Sequence, residues 1–285
     1  MAARALHYVF KIGDRKKTYD FYTQVLMMKV LRHEEFDKGC AATCNGPYDG
    51  SWSKTMIGYG AEDDNFVIEL TYNYPISHYK LGNDFRAIVI EYDKLYEKIL
   101  AGDHRKTGCG RLAVTDPDGH VFKIGKSCST PTIERVQVNV SDLTASRNYW
   151  SGLLDMKIIE EKENRVVMQF AVNQCKWEIV ESKESMDRGT AFGRIAFAYP
   201  DDQLKQLQDK MKSEGKKILN ELVTLETPGK ADVKVVILAD PDEHEICFVG
   251  EKGFRDLSKV DEKADTTIKE AMEKDDSHNW YDKTS

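Results

Sequence analysis

The stretch DFYTQVLMMKVL, residues 20–31, has a counterpart 128 residues later in NYWSGLLDMKII, residues 148–159. Each places aromatics, then Leu, then Met-Lys and two aliphatics in the same order. The strand-like stretch before each keeps that spacing: LHYVFKIGD ends at Asp14 and ERVQVNVSD at Asp142. Two further pairs follow. LAVTDPDGHVFKIG (112–125) matches VILADPDEHEICFVG (236–250), and AIVIEY (87–92) matches RIAFAY (194–199). The chain reads as a tandem duplication, with halves at 1–128 and 131–252 and a charged remainder at 253–285.

Each half divides again. Leu6, Tyr8, Phe10 and Ile12 alternate, as in a half-buried strand, while Tyr19, Tyr22, Leu26 and Met27 recur at helical spacing. Strand character returns over 66–72. A second strand at 87–90 precedes the helix-like DKLYEKIL, and further strands end at Ile124. Strand–helix–strands therefore occurs twice per half. Four βαβββ modules make an α+β fold. DPDG at 116–119 reads as a hairpin turn. Glu243 stands where the first half has Gly119, so the second turn is expected to differ in type. In the remainder, Leu257, Val260, Ala264, Ile268 and Met272 suggest a docked helix or a weakly ordered tail. Trp280 and Tyr281 either anchor its end or are exposed.

Composition excludes several classes. The 285 residues carry 41 Lys+Arg against 48 Asp+Glu, a net charge of −7, which is no footprint for general nucleic-acid binding. The apolar run at 235–239 is far short of the roughly 18–20 residues a membrane helix needs. The six cysteines form no CxxC pair and read as free thiols of a reducing compartment. Cys40 and Cys44 are spaced to share a helix face or a metal, but Gly39 and Asn45-Gly46 read as loop. The opening MAARALHYVF turns strand-like by Ala5, which leaves little room for a presequence and favours the cytoplasm.

The segment GYGAEDDNFVIELTYNY, 58–74, resembles the end of the first module of glyoxalase I enzymes, and DFYTQVLMMKVL resembles their first helix. With the module count, the chain is identified over about residues 1–255 as a member of the vicinal oxygen chelate superfamily, with two tandem domains of two modules each. The resemblance implies paired modules curled into a cup around a divalent metal, zinc or nickel. It also implies glutathione as cosubstrate and a small-molecule substrate. The metal stabilises an enediolate while a carboxylate moves a proton between adjacent carbons, because a carbon acid is too weak for a simple base alone. It further implies a mitochondrial association, for which this N-terminus offers no visible presequence.

Carried over position by position, the ligands are His7 and Glu69 in the first module. The second has Ala87 and Lys123, the third Arg135 and Glu178, the fourth Arg194 and Cys247. Pairing decides which meet. If adjacent modules share a cup, the first holds His7, Glu69, Ala87 and Lys123. If modules one and four share it, as the resemblance favours, it holds His7, Glu69, Arg194 and Cys247. A His, a Glu and a thiolate are chemically suited to zinc. Glu178 would mark a second site, or be neutralised by Arg135. Glu69 is expected to be the catalytic carboxylate; it lies in an apolar run, where a charge is costly unless paired. Lys11, Asn73 and Arg194 are expected to bind substrate, Lys11 standing where the family has an Arg for a glutathione carboxylate. Cys247 also reads as a small buried hydrophobe, and His120 and His244 as structural.

The resemblance implies a lactoylglutathione lyase-type isomerisation of methylglyoxal or a related 2-oxoaldehyde. Lys123 at the slot of the catalytic Glu leaves two alternatives. One is a non-catalytic member binding a small anion or a protein partner. The other is a different enzyme on the same scaffold, since one fold hosts many activities.

Overall fold

Alternation in the first strand, β1 (Arg4–Ile12), sends Tyr8, Phe10 and Ile12 into the main apolar core and leaves His7, Val9 and Lys11 on the other face. The computed structural model describes residues 3–102, 105–107, 110–226, 230–277 and 279. Cys109, Trp280 and Tyr281 lie outside the described residues.

Helix α1 (Arg15–Asp20) begins where the Asp14 carboxylate accepts the Lys17 backbone N–H, and it widens into a π-helical turn over Phe21–Val25. The first module closes with β2 (Lys29–Phe36), β3 (Trp52–Gly58) and β4 (Val67–Asn73). The second comprises β5 (Phe85–Glu91), α2 (Asp93–Leu100), β6 (Arg105–Lys106), β7 (Leu112–Thr115) and β8 (Val121–Gly125). The third repeats the first. β9 (Thr132–Val140) leads to α3 (Leu143–Arg147), capped by Asp142 and widened over Asn148–Leu153, then β10 (Lys157–Lys162), β11 (Arg165–Gln169) and β12 (Lys176–Glu181). The fourth is β13 (Arg194–Tyr199), α4 (Leu204–Ser213), β14 (Ile218–Leu225), β15 (Val233–Ala239) and β16 (Glu245–Gly250). Helices α5 (Glu251–Leu257) and α6 (Ala264–Lys274) follow.

The strands form two eight-stranded sheets, each taking one module from each half of the chain. The first runs β14-β15-β16-β13-β1-β4-β3-β2 and the second β10-β11-β12-β9-β5-β8-β7-β6. Antiparallel β1–β13 pairing joins modules one and four, and β5–β9 pairing joins modules two and three. One continuous apolar cluster takes Phe10 and Leu70 from the first sheet, Ile88 and Trp177 from the second, and Leu95 and Leu207 from α2 and α4. Burial on this scale is the main force holding the sheets together.

The described part of the remainder is docked on the body. Arg32 of β2 donates to the Leu257 carbonyl, and Arg15 donates to the Ala271 carbonyl and to Asp275 at the end of α6. No helix among the described residues is long and apolar enough to cross a membrane.

Two expectations need correction. Cys40 and Cys44 are joined by a disulfide. The turn in which the Thr43 N–H bonds the Cys40 carbonyl brings their Cα atoms within 5.4 Å, inside bridging range. That pairing removes them as free thiols and as metal ligands. The turn at 240–243 also keeps the type of its twin. The Glu243 N–H bonds the Asp240 carbonyl as Gly119 bonds Asp116, and Glu243 adopts φ +67 beside Gly119 at +97. The Asp240 carboxylate holds it by accepting the Asp242 and His244 N–H groups.

Candidate active site

The pairing of modules one and four places the expected residues together at the centre of the first sheet. Val9 of β1 is in register with Glu69 on β4 at one side and with Arg194 on β13 at the other. His7 is in register with Ala196, and Ala196 with Cys247 on β16. His7, Glu69, Arg194 and Lys11 are all buried.

His7 stands between two carboxylates. Its Nδ1 lies 2.6 Å from Glu62 Oε1, and its Nε2 lies 3.5 Å from Glu69 Oε2. Glu62 comes from the irregular turn before β4 and is itself buried. Burial alone would raise its carboxyl; the His7 ring, aided by Arg32, outweighs that and holds it below the ordinary range. Glu69 also accepts the Thr71 hydroxyl at 3.3 Å.

Arg194 is held from both sides. Its Nε and Nη2 donate to Glu245 at 2.9 and 2.7 Å, and Nη1 and Nη2 donate to the carbonyls of Ala42 and Thr43 at 3.0 and 3.2 Å. Those carbonyls belong to the loop closed by the disulfide. Ala42 is fully buried in a second apolar cluster with Leu6, Ala196, Phe254 and Leu257. The loop and α5 thus cover the fourth-module side of this face. Across the sheet, Lys230 donates to Glu34 of β2 at 2.6 Å.

Lys11 donates to the Phe192 carbonyl at 2.5 Å and sits 3.5 Å from the centre of that ring. Burial brings its ammonium down to about 7, against the pull of Glu245 and with the push of Arg194. Asn73 exchanges hydrogen bonds with Asn45: its Oδ1 accepts Asn45 Nδ2 at 2.9 Å and its Nδ2 donates to the Asn45 carbonyl at 3.0 Å. It fastens the covering loop to β4.

The donor chemistry does not fit the metal that the resemblance implies. Among the described residues no three His, Cys, Asp or Glu side chains converge to hold an ion. Cys247 packs against the second apolar cluster, and burial pushes its thiol up to about 12, so it is not a thiolate near neutrality. Arg194 brings a fixed positive charge to a ligand slot. As placed, His7, Glu69 and Cys247 do not fit the metal expected of them.

In the second sheet, both oxygens of Glu178 are occupied. Oε2 accepts Arg135 and Gln137 at 2.7 Å each, and Oε1 accepts Arg165 at 2.9 Å. Lys123 donates to Gln137 at 2.6 Å, while Ala87 carries no donor. This is an ion-paired interior, the alternative to a second metal site at Glu178, and its donors do not fit an ion.

Sequence reasoning missed Glu62, Glu245 and the loop carbonyls of Ala42 and Thr43. Glu62 lies outside the repeated strands, so the duplication gives no signal for it. Glu245 was open to detection as the register partner of Arg194.

Comparison with known proteins matches this architecture. Residues 4–124 match the Glyoxalase/Bleomycin resistance protein/Dioxygenase superfamily, and residues 142–257 match the C-terminal domain of glyoxalase domain-containing protein 4-like proteins. The chain is 65% identical to Glyoxalase 1 of Caenorhabditis elegans, over 98% of this chain and 100% of that one. It is 50% identical to glyoxalase domain-containing protein 4 of Mus musculus, over 98% and 95%. A lactoylglutathione lyase of Arabidopsis thaliana is 28% identical over 88% and 93%. The crystal structure of glyoxalase I from Zea mays superposes with a TM-score of 0.72 at 24% identity, over 89% and 94%, and shares the fold. On the strength of these likenesses and of the four-module topology, the chain belongs to the glyoxalase domain family of the vicinal oxygen chelate superfamily.

Proposed function

We propose that the chain carries out a lactoylglutathione lyase-type reaction, on methylglyoxal or a related 2-oxoaldehyde presented as its glutathione hemithioacetal. The observation that carries this reading is the buried His7–Glu69 pair, 3.5 Å apart where modules one and four meet. The names of the relatives, Glyoxalase 1 and lactoylglutathione lyase, support it.

In this reading Glu69 takes the proton from the thiol-bearing carbon and returns it to its neighbour. A basic group must be near the reacting carbon and its charge state fixed. His7, anchored through Nδ1 by Glu62, keeps its other nitrogen toward Glu69. Lys11, in its protonated form, supplies positive charge toward a glutathione carboxylate, Arg194 with its partner Glu245 shapes the fourth-module side of the site, and Asn73 secures the wall formed by the covering loop. Residues 1–128 and 131–252 would then serve as two sequence domains that share one site.

The test is formation of S-lactoylglutathione by the purified chain from methylglyoxal and glutathione. Turnover that falls at least about 100-fold in Glu69→Gln, as loss of a general base requires, supports the reading. Turnover absent from the intact chain, or unchanged in Glu69→Gln, overturns it.

A second reading is favoured by one observation, the engagement of Arg194 with Glu245 and the loop carbonyls at a ligand slot. It is a non-catalytic member that binds a small anion or a protein partner, with Arg194 closing the ligand slot rather than holding the anion. Saturable binding of S-methylglutathione without any turnover would select it.

A further inference from the structure

The loop between β2 and β3 is closed on itself by a covalent bond. Cys40 and Cys44, four positions apart, form the disulfide, and both are half-buried. Between them, Ala41 and Thr43 are exposed while Ala42 is fully buried. The ring thus reaches solvent at Ala41 and Thr43 and the second apolar cluster at Ala42.

The ring fixes a backbone conformation that an open chain would not favour. Thr43 sits at φ +52, in the left-handed region that a β-branched side chain avoids. Its N–H bonds the Cys40 carbonyl at 2.9 Å, and its carbonyl accepts the Gly46 N–H at 3.0 Å. In that conformation the Ala42 and Thr43 carbonyls both face Arg194, and the Thr43 hydroxyl accepts from the same guanidinium at 3.2 Å. The end of the loop lies on Lys11: a Cβ at Gly46 would stand 2.9 Å from Lys11 Cε. Under this cover Lys11 is 4% exposed and Arg194 8%. A closed ring lowers the freedom of the chain within it, and opening the ring restores that freedom.

We infer that the Cys40–Cys44 bridge is a site of thiol exchange, and that its reduction by a low-molecular-weight thiol unlocks the loop that covers Lys11 and Arg194. The thiolate of the small molecule attacks one of the two sulfurs, the Cys40–Cys44 bond breaks, and the other sulfur leaves with the electron pair and takes a proton from water. A second small thiol then attacks the mixed disulfide. It releases the protein sulfur as a thiolate and carries away the oxidised small-molecule disulfide, so two electrons pass to the chain. With the ring open, Thr43 relaxes out of the left-handed region, and the two carbonyls turn from Arg194. Arg194 keeps its bonds to Glu245, so the guanidinium stays in place while the surface beneath the loop becomes open. The inference does not rest on the proposed reaction, because neither readout below involves turnover.

Two measurements on the air-oxidised full chain test it, with reduced glutathione as the probe. The first is iodoacetamide labelling followed by peptide mass mapping. Cys40 and Cys44 should stay unlabelled without the thiol and label after it, under conditions that leave the circular dichroism of the chain unchanged. The second is acetylation of the Lys11 amine by acetic anhydride, mapped in the same way. Its rate should rise at least about tenfold on reduction, as opening a short closed ring over a buried group implies. Cys40→Ser should acetylate at the faster rate with or without glutathione, and Cys44→Ala gives the same comparison if Cys40→Ser does not fold. Cysteines 40 and 44 that label without the thiol, a bridge that glutathione leaves closed in the folded chain, or a Lys11 rate that reduction does not change each overturns the inference.

Discussion

His7 Nδ1 and Glu62 Oε1 lie 2.6 Å apart, both side chains almost wholly buried. The contact fixes which nitrogen of His7 remains for Glu69. It also gives the carboxylate of Glu62 a reason to be inside the protein, where an unpaired charge is costly. Arg32, 3.4 Å from the other Glu62 oxygen, completes the arrangement.

Glu62→Gln keeps the shape and removes the charge. It should lower stability by about 1–3 kcal/mol, read from urea unfolding near neutral pH. The pH dependence has a definite sign. The folded carboxyl sits below its ordinary value, so its contribution is present above the ordinary carboxylate range and is lost as pH falls through the folded value. The difference in stability between wild type and variant should therefore shrink in acid. A constant difference down to low pH would contradict the pairing.

Lys11 gives a dependence of the same sign in a higher pH window. Burial lowers its ammonium from 10.5 to about 7. The unfolded chain then binds the extra proton between those values, so this group makes stability rise with pH from about 7 toward 10.5. Lys11→Met should remove that rise. The check is the urea midpoint at pH 6.5 and pH 9.5 for both proteins, with the variant gaining most at the lower pH. Equal gains at both would show that Lys11 keeps its charge on folding.

The parts of the site that repeat were legible in the sequence, and the parts that do not repeat were not. His7 and Glu69 stand out because the resemblance to the glyoxalase I motifs singles out their positions, and Arg194 and Cys247 follow by carrying those positions onto the matched strands. The meeting of modules one and four rests on β1–β13 pairing, a contact between residues nearly two hundred positions apart that no local pattern encodes. Glu62 sits in an irregular turn with no twin. The Cys40–Cys44 bridge depends on a backbone turn, not on a motif. Glu243 shows a further limit. Composition argues for a changed turn, yet the buried Asp240 carboxylate holds the backbone against the preference of a non-glycine residue.

Glu178 provides a control for the assignment of the site to the first sheet. Glu178→Ala leaves Arg135 and Arg165 facing one another without their carboxylate. Breaking a buried pair in this way costs about 3–5 kcal/mol, read as a lowered midpoint in urea. Once corrected for the folded fraction, S-lactoylglutathione formation should be unchanged, because Glu178 belongs to the other sheet. A fall in the corrected rate comparable to that of Glu69→Gln would move the reaction to modules two and three.

The matched turns permit a test in both directions. Glu243 holds φ +67, a conformation that costs a side-chain-bearing residue about 1–2 kcal/mol and glycine nothing. Against that gain, Glu243→Gly loses the exposed ion pair with Lys217, worth about 0–1 kcal/mol, and adds freedom to the unfolded chain. The net expectation is a small stabilisation, below about 1 kcal/mol. Gly119→Ala runs the other way. It imposes the left-handed cost and also drives a Cβ to 2.5 Å from Leu81 Cδ1, where the side chain must move. It should destabilise by at least about 1 kcal/mol. Thermal midpoints of the two variants check both signs. If Glu243→Gly lowers the midpoint as much as Gly119→Ala does, the Glu243 side chain contributes more through Lys217 than its backbone costs.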